Sequence, residues 1–309
     1  VVDVRVQLTT TVGSLSLANP VLAASGTFGY GLDLADLCPP EALGGVVTKG
    51  LSPLPRPGNP PPRIVETAAG MLNAIGLQNI GVDAFCREVL PELRRRGAVV
   101  VVNVFGETLA AYEEVIHRCE AEEGIAAYEL NVSCPNVSAG GMEFGHDPEQ
   151  LQRLTARCRA VTARPLWVKL SPNAPDLLAT ARAAVEGGAD ALSLINTLRA
   201  MAIDAERRRP VLSRAFGGLS GPAIKPIALR MVFEVHRAVP EVPLVGIGGI
   251  ESGRDAVEFL LAGASAVQVG TATFRDPAAP RRILAELEAF CLQHGVASVR
   301  ELVGGLQWP

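Results

Sequence analysis

The 309-residue chain lacks paired cysteines: its six, at positions 38, 86, 119, 134, 158 and 291, are scattered with no Cys-x-x-Cys. That leaves neither a disulfide framework nor a zinc or iron–sulfur ligand set in view, and five of the six read as small buried hydrophobes. Long apolar runs are missing too. The longest, near Ala98 to Val102, is far too short to span a bilayer, and Val1 to Gln7 has no charged-then-apolar signal pattern. A cytoplasmic protein with no membrane contact is expected. Nor is there an excess of positive charge. The 28 Lys+Arg against 32 Asp+Glu give a net charge of -4, which argues against a nucleic-acid or anionic-membrane surface and for small molecules or proteins as partners. Histidines are few and badly placed for a Cys–His pair: His117 and His236 sit in helical stretches, His294 near the C-terminus and His146 just before a helix start.

What the chain does have is apolar material, 48% of its residues, with a mean hydropathy of +0.26. Eight short apolar runs stand out: 20–24, 45–48, 99–104, 127–132, 166–170, 191–195, 243–247 and 266–269. Helix-length amphipathic spacing separates them, over 82–96, 107–123, 148–163, 176–187, 222–239, 252–262 and 278–293. Asp147-Pro148 and Gly221-Pro222 are helix-start signals. This alternation predicts an α/β fold, a parallel (β/α)8 TIM barrel forming a single domain over 1–309. A doubly wound open sheet is the competing architecture. The barrel is preferred because nearly every run ends in groups unsuited to a core, and only a barrel gathers all eight ends at one rim. Ahead of it, Arg5–Thr9 and Ser14–Leu17 around Val12-Gly13 predict an N-terminal β-hairpin that plugs one end. Two connections, 50–80 and 197–221, are long enough to serve as active-site walls or lids, and the Arg207–Arg209 run in the second reads as a solvated face.

The stretch Tyr128-Glu-Leu-Asn-Val-Ser-Cys-Pro-Asn136 ends in donors and acceptors around a lone cysteine. Read alone, Cys134 is a small residue before a proline. Read at a rim, it is a general base for a substrate that presents an acidic proton, since no histidine supports an acylation nucleophile. Lys49 and Lys169 end the second and fifth runs. Singly, each reads as a rim charge. Together they suggest a bound anion and a ring that gains negative charge, with Lys169 the better stabiliser of that charge. Asn73, Asn131, Asn136 and Asn196 offer donors and acceptors to a planar ring bearing C=O and N–H groups, although any one of them is also a common turn former. Gly248-Gly249 and Gly270-Thr271 follow the seventh and eighth runs, where barrel loops hold phosphate through backbone N–H groups; ligand-free tight turns are the alternative.

Several of these stretches, taken in order, resemble the soluble class 1 dihydroorotate dehydrogenases: Asn19–Gly29, Asn59-Pro with Pro62-Arg and Glu66-Thr, Gly70–Asn79, Asn131–Asn136, Val168–Pro172, Ile195–Thr197, Gly217–Pro226, Gly246–Gly249 and Gly263–Thr271. The likeness runs from Asn19 to Pro277. It implies an FMN-binding (β/α)8 barrel that oxidises dihydroorotate to orotate in pyrimidine synthesis. In that pattern Cys134 removes the proton from C5 while the C6 hydride passes to the flavin. Cysteine rather than serine at position 134, with only a short hairpin before the barrel, is similar to class 1. The run Gly218–Pro226 is similar to the 1B catalytic subunit, which passes electrons to NAD+ through a partner subunit carrying FAD and [2Fe–2S]. The alternatives are a 1A-type fumarate-linked enzyme, a flavoenzyme of dihydropyrimidines, or a flavin-binding subunit without catalysis. Carried over position by position, Ser25, Gly26, Lys49, Asn103, Asn131, Lys169, Ile195, Gly221, Gly248, Gly249, Gly270 and Thr271 touch FMN. Lys49, Asn73, Ala74, Ile75, Gly76, Leu77, Asn131, Asn136, Asn196 and Thr197 hold the pyrimidine and its carboxylate. The resemblance implies no metal, a homodimer or heterotetramer, and a loop from Pro135 to Gly145 that closes on the site about Gly140-Gly141. Thr27-Phe28 and Arg199–Arg209 depart from the pattern.

Overall fold

Runs of β-branched and small apolar residues become strands here because both of their faces are covered. In Val100–Val104 all five residues are buried. The computed structural model describes residues 6–133, 135–136 and 142–307. Its barrel strands are Val21–Ala23, Gly45–Val47, Val100–Val104, Ile125–Asn131, Leu166–Lys169, Ala191–Leu194, Leu244–Ile247 and Ala264–Val269. Each pairs in parallel with the next, and the eighth pairs with the first to close the barrel. The expected parallel barrel is therefore present, its strand ends lying within two residues of those read from the sequence.

The strands fill the barrel in layers, as the two-residue period requires. Leu22, Val47, Val101, Ala127, Trp167, Ala191, Val245 and Ala266, one from each strand, form an apolar floor. Val12 and Leu17 of the hairpin join the same cluster and seal that end. The hairpin is thus the expected plug, but its first strand is Thr10–Val12, paired Thr10↔Leu17, rather than Arg5–Thr9. Gln7 instead forms a parallel bridge with Ser298. The seal bears on the register, because this pairing turns Val12 and Leu17 together onto the floor and a one-residue slip would turn one of them away.

The outer helices start where side-chain oxygens cap them. Thr108 accepts from Ala111 N–H, Asp147 from Glu149 and Gln150 N–H, and Asp176 from Ala179 N–H, while Ser252 and Asp255 form a capping box. The expected 82–96 helix contains a π turn over Phe85–Val89 before Leu90–Arg96. A short helix, Ala272–Arg275, was not expected. The largest departure lies in the two long connections, which are not irregular. Ile64–Thr67 and Gly70–Asn73 from the first, with Leu198–Ala200 and Gly217–Ser220 from the second, build one four-stranded antiparallel sheet. Among the described residues no helix is long and apolar enough to cross a membrane.

Candidate active site

Two residues beyond six of the eight floor positions the barrel interior turns polar, Ala24 and Ile247 being the exceptions. Lys49, Asn103, Glu129, Lys169, Ser193 and Gln268 occupy that layer in place of aliphatic side chains. Above it opens a cavity of about 550 Å³, within the range of small-molecule sites. The barrel's C-terminal strand ends supply its base and the added antiparallel sheet one wall, with Asn73, Gly218 and Ser220 lining it. The sequence-derived candidates converge here. Ser25, Gly26, Lys49, Asn103, Asn131, Lys169 and Ile195 line the cavity, as do Gly221, Gly248, Gly249, Gly270 and Thr271, the stretch from Asn73 to Leu77, Asn196 and Thr197. Cys134, Gly140 and Gly141 lie outside the described residues, and so does the side chain of Asn136. The backbone of Pro135–Asn136 pairs antiparallel with Met142–Glu143.

The two cavity lysines have different surroundings. Lys169 Nζ lies 3.3 Å from Ser25 Oγ and 3.9 Å from Glu129 Oε1. Lys49 has no ion-pair partner among the described residues, and its pKa lies below the ordinary lysine value, chiefly through burial and then through the charge of Arg63. The third lysine of the chain, Lys225, is tied to Asp255 at 2.6 Å and Glu258 at 2.8 Å. A half-buried cation with no ion-pair partner is a site for an anion.

The asparagines form a linked set. Asn196 Nδ2 donates to Asn131 Oδ1 at 3.0 Å and to Ser133 Oγ at 2.9 Å, and Asn196 Oδ1 accepts from Thr197 N–H at 2.8 Å. Tyr112 Oη donates to the Asn131 carbonyl at 2.7 Å and anchors it from outside the barrel. Asn73 Nδ2 donates to Gly218 O across the antiparallel sheet. These bonds fix the rotamers, so the lining is shaped before a ligand enters. At the glycine loops the backbones approach closely. A Cβ on Gly249, at φ +72°, would stand 2.8 Å from Gly221 O, and one on Gly221, at φ +95°, would stand 2.7 Å from Gly70 Cα. Thr271 Oγ1 bonds Ser220 Oγ at 2.8 Å and joins the eighth strand's end to the sheet.

The sequence model of the family described as "Dihydroorotate dehydrogenase" matches residues 7–291. The chain belongs to the dihydroorotate dehydrogenase family. It is 54% identical over 303 residues to a protein of Geobacter sp. (strain M21) named dihydroorotate dehydrogenase B (NAD(+)), catalytic subunit, an alignment covering 98% of this chain and 99% of that one. A protein of the same name from Pelobacter propionicus is 56% identical over 300 residues, covering 97% and 98%. A crystal structure of DHODH from Eimeria tenella in complex with ferulenol matches with a TM-score of 0.78 at 24% identity, over 97% of this chain and 88% of that one, a likeness of fold. The dihydroorotate dehydrogenase family is flavin-dependent.

Some groups at the site were not singled out from sequence. Ser220 bonds the candidate Thr271 directly, while Ser133, one of the polar groups that close the Tyr128–Asn136 stretch, bonds Asn196. Glu129, Ser193 and Gln268 share the layer of Asn103 and Lys169 without lining the cavity. A two-residue step back from Asn131 reaches Glu129, and that period was the available signal. Thr27, placed among the departures from the family pattern, lines the cavity as well.

Proposed function

We propose that the chain is the FMN-dependent catalytic subunit of an enzyme that oxidises dihydroorotate to orotate in de novo pyrimidine synthesis, with Cys134 as the general base. The observation that carries this reading is Lys49: a half-buried ammonium group with no ion-pair partner among the described residues, beside fixed amides in a barrel-mouth cavity, matches a carboxylated ring rather than a neutral one. FMN itself is supported by the shape and chemistry of the lining. Gly26 faces open space, with nothing within 4 Å of where a Cβ would stand, and Asn103 Oδ1 is buried without a partner, an acceptor fit for a ring N–H. Ser25, Gly26, Lys49, Asn103, Asn131, Lys169 and Ile195 would hold the ring system. Gly221, Gly248, Gly249, Gly270 and Thr271 would hold the ribityl phosphate through backbone groups.

When bound, FMN accepts the hydride that leaves the substrate. The other tasks fall to the chain. Lys49 and the Asn73–Leu77 segment bind the carboxylate, while Asn131, Asn136, Asn196 and Thr197 pair with ring C=O and N–H groups. Cys134 Sγ takes the proton from C5, and the Lys169 ammonium group stabilises the charge that develops at the flavin. The relatives' shared name supports NAD+ as acceptor and a separate partner subunit; that this partner carries FAD and [2Fe–2S] and forms a heterotetramer with the chain rests on the resemblance of Gly218–Pro226 to the 1B catalytic subunit. The free thiols of Cys38, Cys86, Cys119, Cys158 and Cys291 fit a reducing compartment such as the cytoplasm.

Difference spectra of the yellow protein test the substrate. Orotate should perturb the flavin band at far lower concentration than uracil; equal affinities would point to a dihydropyrimidine enzyme. NAD+ reduction with a co-purifying orange-brown partner is expected. Fumarate turnover by the yellow protein alone would contradict the B-type assignment.

A further inference from the structure

Beneath the cavity floor the barrel buries a carboxylate to which the mechanism above gives no task. Glu129 has 0% exposure. Its Oε1 accepts from Asn103 Nδ2 at 2.8 Å and lies 3.9 Å from Lys169 Nζ. Its Oε2 accepts from Ser193 Oγ at 2.8 Å and Gln268 Nε2 at 2.6 Å. Filling this layer for stability alone does not call for a charge, because apolar side chains of similar volume serve as well or better. The two oxygens also face different neighbours. Ser193 and Gln268 do not line the cavity, whereas Asn103 and Lys169 both do.

We propose that Glu129 is a positioning residue for flavin chemistry: within its layer it orients the Asn103 amide and supplies the counter-charge that sets how strongly Lys169 acts on the flavin. The inference rests on reading the cavity as a flavin site. Because Asn103 Nδ2 is engaged by Glu129, Oδ1 is the atom left over, and it has no partner in the protein. The Lys169 ammonium group faces Glu129 on one side and Ser25 Oγ on the other. With Glu129 in place the floor carries a near-contact pair of opposite charges. Without its negative member, the ammonium group acts uncompensated on a ring that becomes more negative when reduced.

Glu129→Gln tests this with volume retained. The Oε1 of Gln268 is buried without a partner, so rotation of that amide can present an acceptor to the new NH2 group and keep the layer bonded. The measurement is the midpoint potential of the bound FMN, taken by reductive titration against a reference dye in the holoprotein. In Glu129→Gln the reduced-to-oxidised ratio at fixed potential should rise roughly tenfold, about 30 mV for a two-electron couple. A purely structural role would lower FMN content or thermal stability and leave the potential unchanged, and that result would overturn the inference.

The double variant Glu129→Gln/Gln268→Glu keeps one buried carboxylate and its close contact but moves the charge away from Lys169 and Asn103. It should hold most of the shift and serves as the test if the single variant does not fold. A wild-type potential in the double variant, or loss of the fold in both, would leave Glu129 as a packing residue. A wild-type protein that takes up no FMN would overturn the flavin reading together with this one. A wild type that is yellow and reduced by dihydroorotate, with an unmoved variant potential, overturns only this one.

Discussion

Lys49 and Lys169 enter one cavity with different neighbours. Burial and the nearby Arg63 hold the pKa of Lys49 below its ordinary value, with Asp33 opposing. Orotate affinity should therefore fall as pH rises through that lowered value, at a lower pH than an ordinary lysine would dictate; orotate titrations across alkaline pH check this. The stability consequence has the opposite sign. The unfolded chain holds the Lys49 proton more tightly than the folded one, so this residue makes ligand-free stability rise with pH from the lowered value up to the unfolded value of about 10.4. Lys49→Met should weaken orotate binding roughly 10- to 100-fold, as loss of a hydrogen-bonded charge does, while leaving the ligand-free melting temperature unchanged or higher. Both lysines were legible in the sequence because each closes an apolar run, where a charge has no packing role. Glu129 was not, since within Tyr128-Glu-Leu-Asn131 it reads as one polar residue of a strand. Its inward direction follows only once the layer beneath is known to be apolar.

The decisive elements for the site are the two long connections, 50–80 and 197–221, read as walls or lids. Their Pro, Gly and Asn content hid strands whose partners lie far away in sequence: Asn73 Nδ2 meets Gly218 O across 145 positions. Local periodicity carries no record of such a pairing, whereas a barrel strand declares itself by its own apolar run. The sheet meets the glycine loops where Gly70 and Gly221 touch, leaving no room for a Cβ. Gly221→Ala, at φ +95°, should cost about 1–3 kcal/mol and, by pushing the two backbones apart, reduce FMN occupancy. Absorbance of the purified variant and its melting temperature measure the two effects. Wild-type occupancy would detach this contact from cofactor binding.

Across the whole molecule the barrel separates stability from chemistry along its axis. The hairpin and the floor close one end with Val12, Leu17 and eight inward apolar side chains, and the polar layers open at the other. Leu17→Ala should thus cost about 2–5 kcal/mol, visible as a lower denaturation midpoint, with no change in flavin reduction by dihydroorotate. Fold class, strand order and the cavity rim were readable because alternation of apolar runs with amphipathic helices is a global pattern. The hairpin's register was not, since it depends on which residues meet the floor. The central claim is that a thiol base and a flavin act together at this rim on dihydroorotate, and anaerobic stopped-flow mixing tests it most directly. The wild-type flavin should bleach in a single turnover, and Cys134→Ala should stay yellow and bleach about 10²- to 10⁴-fold more slowly. An unchanged rate in that variant, or a yellow wild type that dihydroorotate does not bleach, would contradict the account.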